Sequence, residues 1–183
     1  MNFIPEIRLS LINGIIPFGI YLVVFVITIF SFPKKHRLRL YDRTSWTREQ
    51  MIYTLISKIF ALFDIILIIF SAITNKPYLL IIGTILFICG ISVMVSALIT
   101  FCKSPLNNPI TKGLYKYSRN PQMLGIWTVF FSIGIMTDSI ISIMLLIMNI
   151  IFSHQYIKAE EQSCIRKYGD EYIEYLKSKP RYF

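Results

Sequence analysis

GIWTVFFSIGIMTDSIISIMLLIMNIIFSHQYI, residues 125–157, is dominated by apolar residues and interrupted by one polar triplet, Thr137-Asp138-Ser139. Apolarity on every face describes a helix surrounded by hydrocarbon or by protein, and the triplet is turn chemistry, so the stretch reads as two antiparallel helices joined at Asp138. Arg119 stands 19 residues before Asp138, and the adjacent Glu160 and Glu161 begin 22 residues after it. At ~1.5 Å per residue these charges lie about 29 and 33 Å from the turn, close to the ~30 Å hydrocarbon thickness of a bilayer. The guanidinium and the carboxylates are therefore expected to meet at one membrane surface, with Asp138 at the other.

Outward from the hairpin, further apolar runs fall at 11–32, 51–74 and 78–101, each long enough to span alone. The arms at 125–136 and 139–152 are short by the same measure, so they are expected to act as one unit completed by polar residues. With 55% hydrophobic and only 16% charged residues, the 183-residue chain groups with membrane proteins and not with solvated domains. The expected fold is all-α and polytopic, with about five transmembrane helices, the last two a hairpin, and a C-terminal cytoplasmic helical tail. It forms one membrane-embedded domain over 1–183, with three spans in 1–101 and the loop, hairpin and tail in 102–183. The first run is too long for a signal peptide and lacks a basic n-region and a small-residue cleavage site.

Charge sets the expected orientation. Lys34, Lys35, Arg37, Arg39, Arg43 and Arg48 lie between the first two runs, and Lys103, Lys112, Lys116 and Arg119 follow the third. Arg8 and Lys76 alone fall on the other side. The positive-inside rule puts the amino terminus outside and the carboxy terminus in the cytoplasm, as expected of a multi-pass protein of the cell membrane. The net charge of +9 flanks spans and does not line one helix face, which suits anionic headgroups and argues against nucleic acid.

Three cysteines without ligand spacing, and His36 and His154 far apart, suggest no metal site. Cys164, beside the two glutamates, is the cysteine whose reactivity is worth testing. Asp64 lies inside the second run and is either a functional group or a neutral side chain hydrogen-bonded between helices. Lys58, six residues earlier, does not share its face and can snorkel. Gly169 reads as the residue that ends the second arm, and Asp170 as the N-cap of a last short helix. Tyr168, Tyr172 and Tyr175 form a stripe that suits helix packing or an interfacial belt.

The segment Lys112-Gly113-Leu114-Tyr115-Lys116-Tyr117-Ser118-Arg119-Asn120-Pro121-Gln122-Met123-Leu124-Gly125 resembles the Gly-Pro-Tyr…Arg-His-Pro-x-Tyr-x-Gly signature of the isoprenylcysteine carboxyl methyltransferase and phospholipid methyltransferase group. The tail, from Glu160-Glu161 through Tyr168-Gly169-Asp170-Glu171-Tyr172 to Pro180-Arg181, resembles that group's Glu-Glu…Phe-Gly-x-x-Tyr…Pro-Arg ending. The likeness covers roughly the last 80 residues; the rest matches only as membrane spans. It departs at Asn120, where histidine is usual, and at Met123, where tyrosine is usual, removing an imidazole and a phenol.

The resemblance implies S-adenosylmethionine as cofactor and a lipophilic or prenylated acceptor arriving from the membrane lipids. Methyl transfer from a sulfonium is an in-line displacement, for which a protein mainly positions reactants and excludes water. A guanidinium suits the cofactor's carboxylate, and carboxylates suit its ammonium or ribose diol. Arg119, Asn120 and Glu161 are the candidate catalytic residues. Gly113, Tyr115, Arg119, Asn120, Pro121, Gly125, Glu160 and Glu161 are the candidate cofactor contacts, the two glycines by close backbone approach. Adjacent helical glutamates diverge by about 100°, so one is expected to face the site. The competing reading is an interfacial salt bridge between Arg119 and the glutamates that locks the hairpin.

A carboxylate acceptor needs no deprotonation, so the missing imidazole tilts the expectation toward isoprenylcysteine-type O-methylation, with phospholipid amine N-methylation as the alternative. The Cys164…Lys167-Tyr168-Gly169 portion also resembles the ending of sterol reductases. Those chains are about twice as long, and a dinucleotide phosphate calls for more arginine near the site. A non-catalytic membrane protein that retains the pocket is the third reading.

Overall fold

The computed structural model describes residues 1–7, 13–40, 43 and 46–182. Arg8, the first residues of the first apolar run and Phe183 lie outside the described residues. Among those described there are seven α-helices and three isolated β-bridges: α1 (Ile15–Phe30), α2 (Lys34–Arg39), α3 (Arg48–Phe70), α4 (Pro77–Lys103), α5 (Pro121–Met136), α6 (Ile140–Tyr168) and α7 (Asp170–Ser178). A single 3-10 turn, Gly113–Lys116, lies between α4 and α5.

Three of these helices, α3, α4 and α6, are long and apolar enough to cross a membrane; α1 and α5, at 16 residues each, are shorter. The first run thus yields a helix of only about 24 Å, although its apolar length suggested an independent span. The second hairpin arm departs in the opposite sense. Expected to be short, it is the longest helix, 29 residues. Apolarity fades at Phe152, but no Pro or Gly occurs from Ile140 to Tyr168, so nothing interrupts the backbone hydrogen bonding until Gly169.

Helix α5 is short yet needs no greater length, because it is the interior helix. It touches α1, α4 and α6, and among its large apolar side chains only Phe131 is exposed. The surrounding helices instead present exposed stripes at helical spacing, such as Ile81, Ile85 and Ile88 on α4 and Met144, Ile147 and Ile151 on α6. Such stripes suit contact with lipid.

The hairpin turn forms where the triplet predicted it. Asp138 adopts φ 54, a left-handed conformation that aspartate tolerates, and its carboxylate accepts from Lys76 Nζ at 2.7 Å. Ser139 Oγ accepts from the Ser142 N–H at 3.1 Å and caps α6. The two arms nonetheless make their closest partnerships elsewhere, α5 with α4 and α6 with α3.

The α4–α5 seam is built on glycine. A Cβ on Gly125 would stand 2.5 Å from the Met94 backbone nitrogen, and one on Gly90 would stand 2.9 Å from that of Val129. The α3–α6 seam is built on polar side chains. Ser142 Oγ donates to the buried Asp64 carboxylate, and Asn149 Nδ2 donates to the Ser57 carbonyl at 2.9 Å. Asp64 is thus a hydrogen-bonded group between helices, one of the two readings open from sequence.

Candidate active site

Gly113 has φ 57, and a Cβ there would meet Thr100 Oγ1 at 2.8 Å, so only glycine lets the 3-10 turn close against α4. That turn buries Tyr115, whose carbonyl accepts from Tyr175 Oη on α7 at 2.7 Å. The chain then passes through Ser118, Arg119 and Asn120 and enters α5 at Pro121, whose missing N–H costs nothing in the first helical position.

Residues 180–182 are stitched across this segment. The Arg119 N–H donates to the Pro180 carbonyl at 3.1 Å, and both Ser118 Oγ and Asn120 Nδ2 donate to the Arg181 carbonyl at 3.2 Å. Tyr182 Oη hydrogen-bonds His154 Nδ1 at 2.8 Å, and its ring packs on Trp127.

Glu161 lies at the centre, 7% exposed. Arg119 Nη1 is 3.2 Å from its Oε1, while Arg181 grips the same carboxylate through Nε at 3.0 Å and Nη2 at 2.6 Å. The depth count thus brings Arg119 to a glutamate, as the competing ion-pair reading also required. The second guanidinium is the part that sequence reasoning left out of the site. Those hydrogen bonds to Glu161 hold the Arg181 guanidinium above its usual range. Two cations on one buried anion leave net positive charge here, and removing the anion would leave both uncompensated.

A cavity of about 360 Å³ opens beside this cluster. It is lined by Arg119, Asn120 and Gln122 at the start of α5, by Tyr115, by α6 from Glu160 to Tyr168, by Tyr172 and Tyr175 of α7, and by Arg39, Leu40, Phe101, Pro109 and Ile110. Both glutamates face it, although one was expected, because the wall follows α6 for two turns and covers more than the 100° that separates them. Glu160 accepts from Tyr156 Oη at 2.6 Å.

Of the predicted contacts, Tyr115, Arg119, Asn120, Glu160 and Glu161 line the cavity, and Gly113, Pro121 and Gly125 do not. Gly125 makes its close approach to α4, Gly113 makes its own to Thr100, and Pro121 is buried as the first residue of α5. Asn120 uses its amide to hold the Arg181 carbonyl. Gly169, at φ 59, ends α6 and is also the N-cap of α7; Asp170, expected as the cap, is the first helical residue.

The tyrosine stripe, read as packing, forms a cavity wall, and burial pushes the Tyr172 and Tyr175 phenols up so that they stay protonated donors. Cys164 lies on the same wall. More arginine gathers here than the sequence suggested. Arg39 reaches from α2 to donate to the Pro105 and Asn108 carbonyls and to Tyr168 Oη, and Arg166 and Lys167 also line the cavity. Arg39 carried no sequence signal, being 80 residues from Arg119. Arg181 did, in the Pro-Arg of the tail.

These features define a polytopic helical membrane protein with a polar cavity at the end of its interior helix. The pattern of the phospholipid methyltransferase family matches residues 78–171, just over half of the chain, and the chain belongs to that family. The match runs from the start of α4 to the start of α7 and so includes Arg119, Glu160 and Glu161. Among curated proteins and among solved structures, none matches the chain.

Proposed function

We propose that the protein transfers a methyl group from S-adenosylmethionine to a lipophilic acceptor at the membrane face where the cavity opens, with 102–183 as the catalytic part of a single domain. Family membership supports methyl transfer. The observation that carries the cofactor is the donor set of the cavity, which brings together the Arg119 guanidinium, suited to a carboxylate, and glutamate carboxylates, suited to an ammonium or a ribose diol.

When bound, the cofactor supplies an electrophilic methyl group on a sulfonium. Arg119, steadied by Glu161, takes its carboxylate. Tyr115, Tyr172 and Tyr175 exclude water from the reacting centre. Glu160, oriented by Tyr156, stands ready to accept a proton from the acceptor. Asn120 holds the loop against Arg181 and needs no catalytic proton.

The acceptor we favour is a phospholipid amine. The description of the matching family and a second carboxylate in the cavity, Glu160, outweigh the tilt that the missing imidazole gave. An isoprenylcysteine-type carboxylate is the second reading, favoured by the cationic lining of Arg39, Arg119, Arg166 and Lys167. In this reading the cavity end is cytoplasmic, since the basic loops gather there. An impermeant maleimide added outside should label Asn75→Cys and spare Lys177→Cys.

Titration of the detergent-purified protein with S-adenosylmethionine, S-adenosylhomocysteine and NADPH tests the cofactor, and binding of NADPH alone would reject it. Methyl transfer measured from pH 6 to 9 tests the acceptor. An amine must lose its proton, so the rate should climb with pH, and Glu160→Gln should lower it most at neutral pH. A flat profile, with Glu160→Gln active, would transfer the assignment to the carboxylate.

A further inference from the structure

Arg39 lines the cavity from α2, and its three hydrogen bonds go to uncharged acceptors, the Pro105 and Asn108 carbonyls and Tyr168 Oη. A guanidinium carries about five N–H donors, so two remain for a ligand. Its carbon Cζ lies 5.2 Å from the Phe101 ring centre and 5.8 Å from that of Tyr168, and Lys167 Nζ lies 5.4 Å from the same Tyr168 ring. Two cations thus meet at one aromatic wall of the cavity, and among the described residues neither is paired with a carboxylate. The carboxylates that line the cavity are engaged elsewhere, Glu161 by Arg119 and Arg181 and Glu160 by Tyr156. Lys167 alone would be accounted for by the last turn of α6, where a cation complements the helix dipole, but Arg39 arrives from another helix. Beside it Leu40, Phe101 and Ile110 also line the cavity, so this positive charge borders apolar surface.

We propose that Arg39 and Lys167 form an anion subsite for the phosphodiester of the acceptor's headgroup, by which the cavity selects a phospholipid from other lipophilic amines. This rests on the phospholipid-amine reading above. A guanidinium suits phosphate oxygens, and an ammonium adds a point charge. The apolar wall beside Arg39 suits the start of an acyl chain, for which a free phosphate ion has no use. The amine, two carbons from the phosphate, is then on the Glu160 side of the headgroup, where its proton is accepted.

Methyl transfer by the whole protein to phosphatidylethanolamine and to oleylamine, which has the amine and no phosphate, tests the subsite in one detergent. The proposal expects Arg39→Gln to lower the ratio of the two kcat/KM values about ten-fold or more, chiefly through KM for the phospholipid. Arg39→Lys, which keeps the charge and loses the fork, should lower it less. Lys167→Gln, at an exposed residue, should lower the ratio about three-fold and serves if the Arg39 variants do not fold. An unchanged ratio, with both activities falling together, would make Arg39 a structural tie between α2 and the loop at 105–108 and overturn the proposal. Inorganic phosphate that protects the parent from thermal unfolding as well as phosphatidylethanolamine does would assign the site to the free anion, which also overturns it. Methylation of a farnesylated cysteine with both amines refused would overturn the acceptor reading itself, and the subsite with it.

Discussion

The α4–α5 and α3–α6 seams cross the same membrane and hold their helices together by different physics. Between α4 and α5 the absence of side chains at Gly90 and Gly125 lets the backbones approach, so the contact consists of many weak dispersion contacts over a close-fitting surface. Between α3 and α6 a few directional bonds, from Ser142 to Asp64 and from Asn149 to Ser57, fix the register. A glycine seam cannot yield to an added atom, whereas a polar seam loses one bond at a time. The first seam carries the segment that begins the site, which suits a structure that must hold Arg119 in place.

The two seams are joined at the cavity, where α5's side supplies Arg119 and α6 supplies Glu161. Cutting that junction should have the largest effect. Glu161→Ala leaves two guanidiniums without their shared anion and is expected to destabilise the protein by about 3–5 kcal/mol and to abolish measurable S-adenosylhomocysteine binding. Thermal unfolding in detergent, with and without ligand, checks both. A variant that melts with the parent and binds normally would show the junction to be dispensable.

Next in size is the glycine seam itself. Gly125→Ala drives a methyl group onto the Met94 backbone and should cost about 2–3 kcal/mol, while Gly19→Ala on α1, which meets nothing within 4 Å, should cost nothing or stabilise slightly. Similar melting temperatures for the two would break the contrast drawn between the seams. The polar seam should respond least. Asp64→Ala is expected to cost about 1–2 kcal/mol and Asn149→Ala about 0.5–1 kcal/mol, within the range for hydrogen bonds between membrane helices. Unfolding titrations that put Asp64→Ala above Gly125→Ala would invert the ranking.

The parts of this architecture legible in sequence were those that depend on neighbours along the chain. Thr137-Asp138-Ser139 marked the turn, and counting residues from it brought Arg119 to Glu161, because helical rise is nearly constant. Partnership between helices was not legible. Nothing in residues 125–152 states that α5 packs on α4 and α6 on α3, since that choice follows from surface fit across long sequence separations. Gly125 illustrates the limit at one residue: a glycine reads alike whether a ligand or another backbone approaches it. Arg39 was missed for the same reason, since it reaches the cavity from a segment 80 residues before Arg119, whereas Arg181 stood in the Pro-Arg of the tail with nothing in the sequence to pair it with Glu161.

The stitching of residues 180–182 onto Ser118, Arg119 and Asn120 also gives the molecule one point at which the cluster can be cut loose without touching a membrane helix. Lys177 is exposed, and a single proteolytic cut after it would sever the clip that carries Arg181 from the rest of the chain while α3, α4, α5 and α6 keep their packing. Protein nicked there should stay folded in detergent, and a ligand seated beside Glu161 should slow the cut.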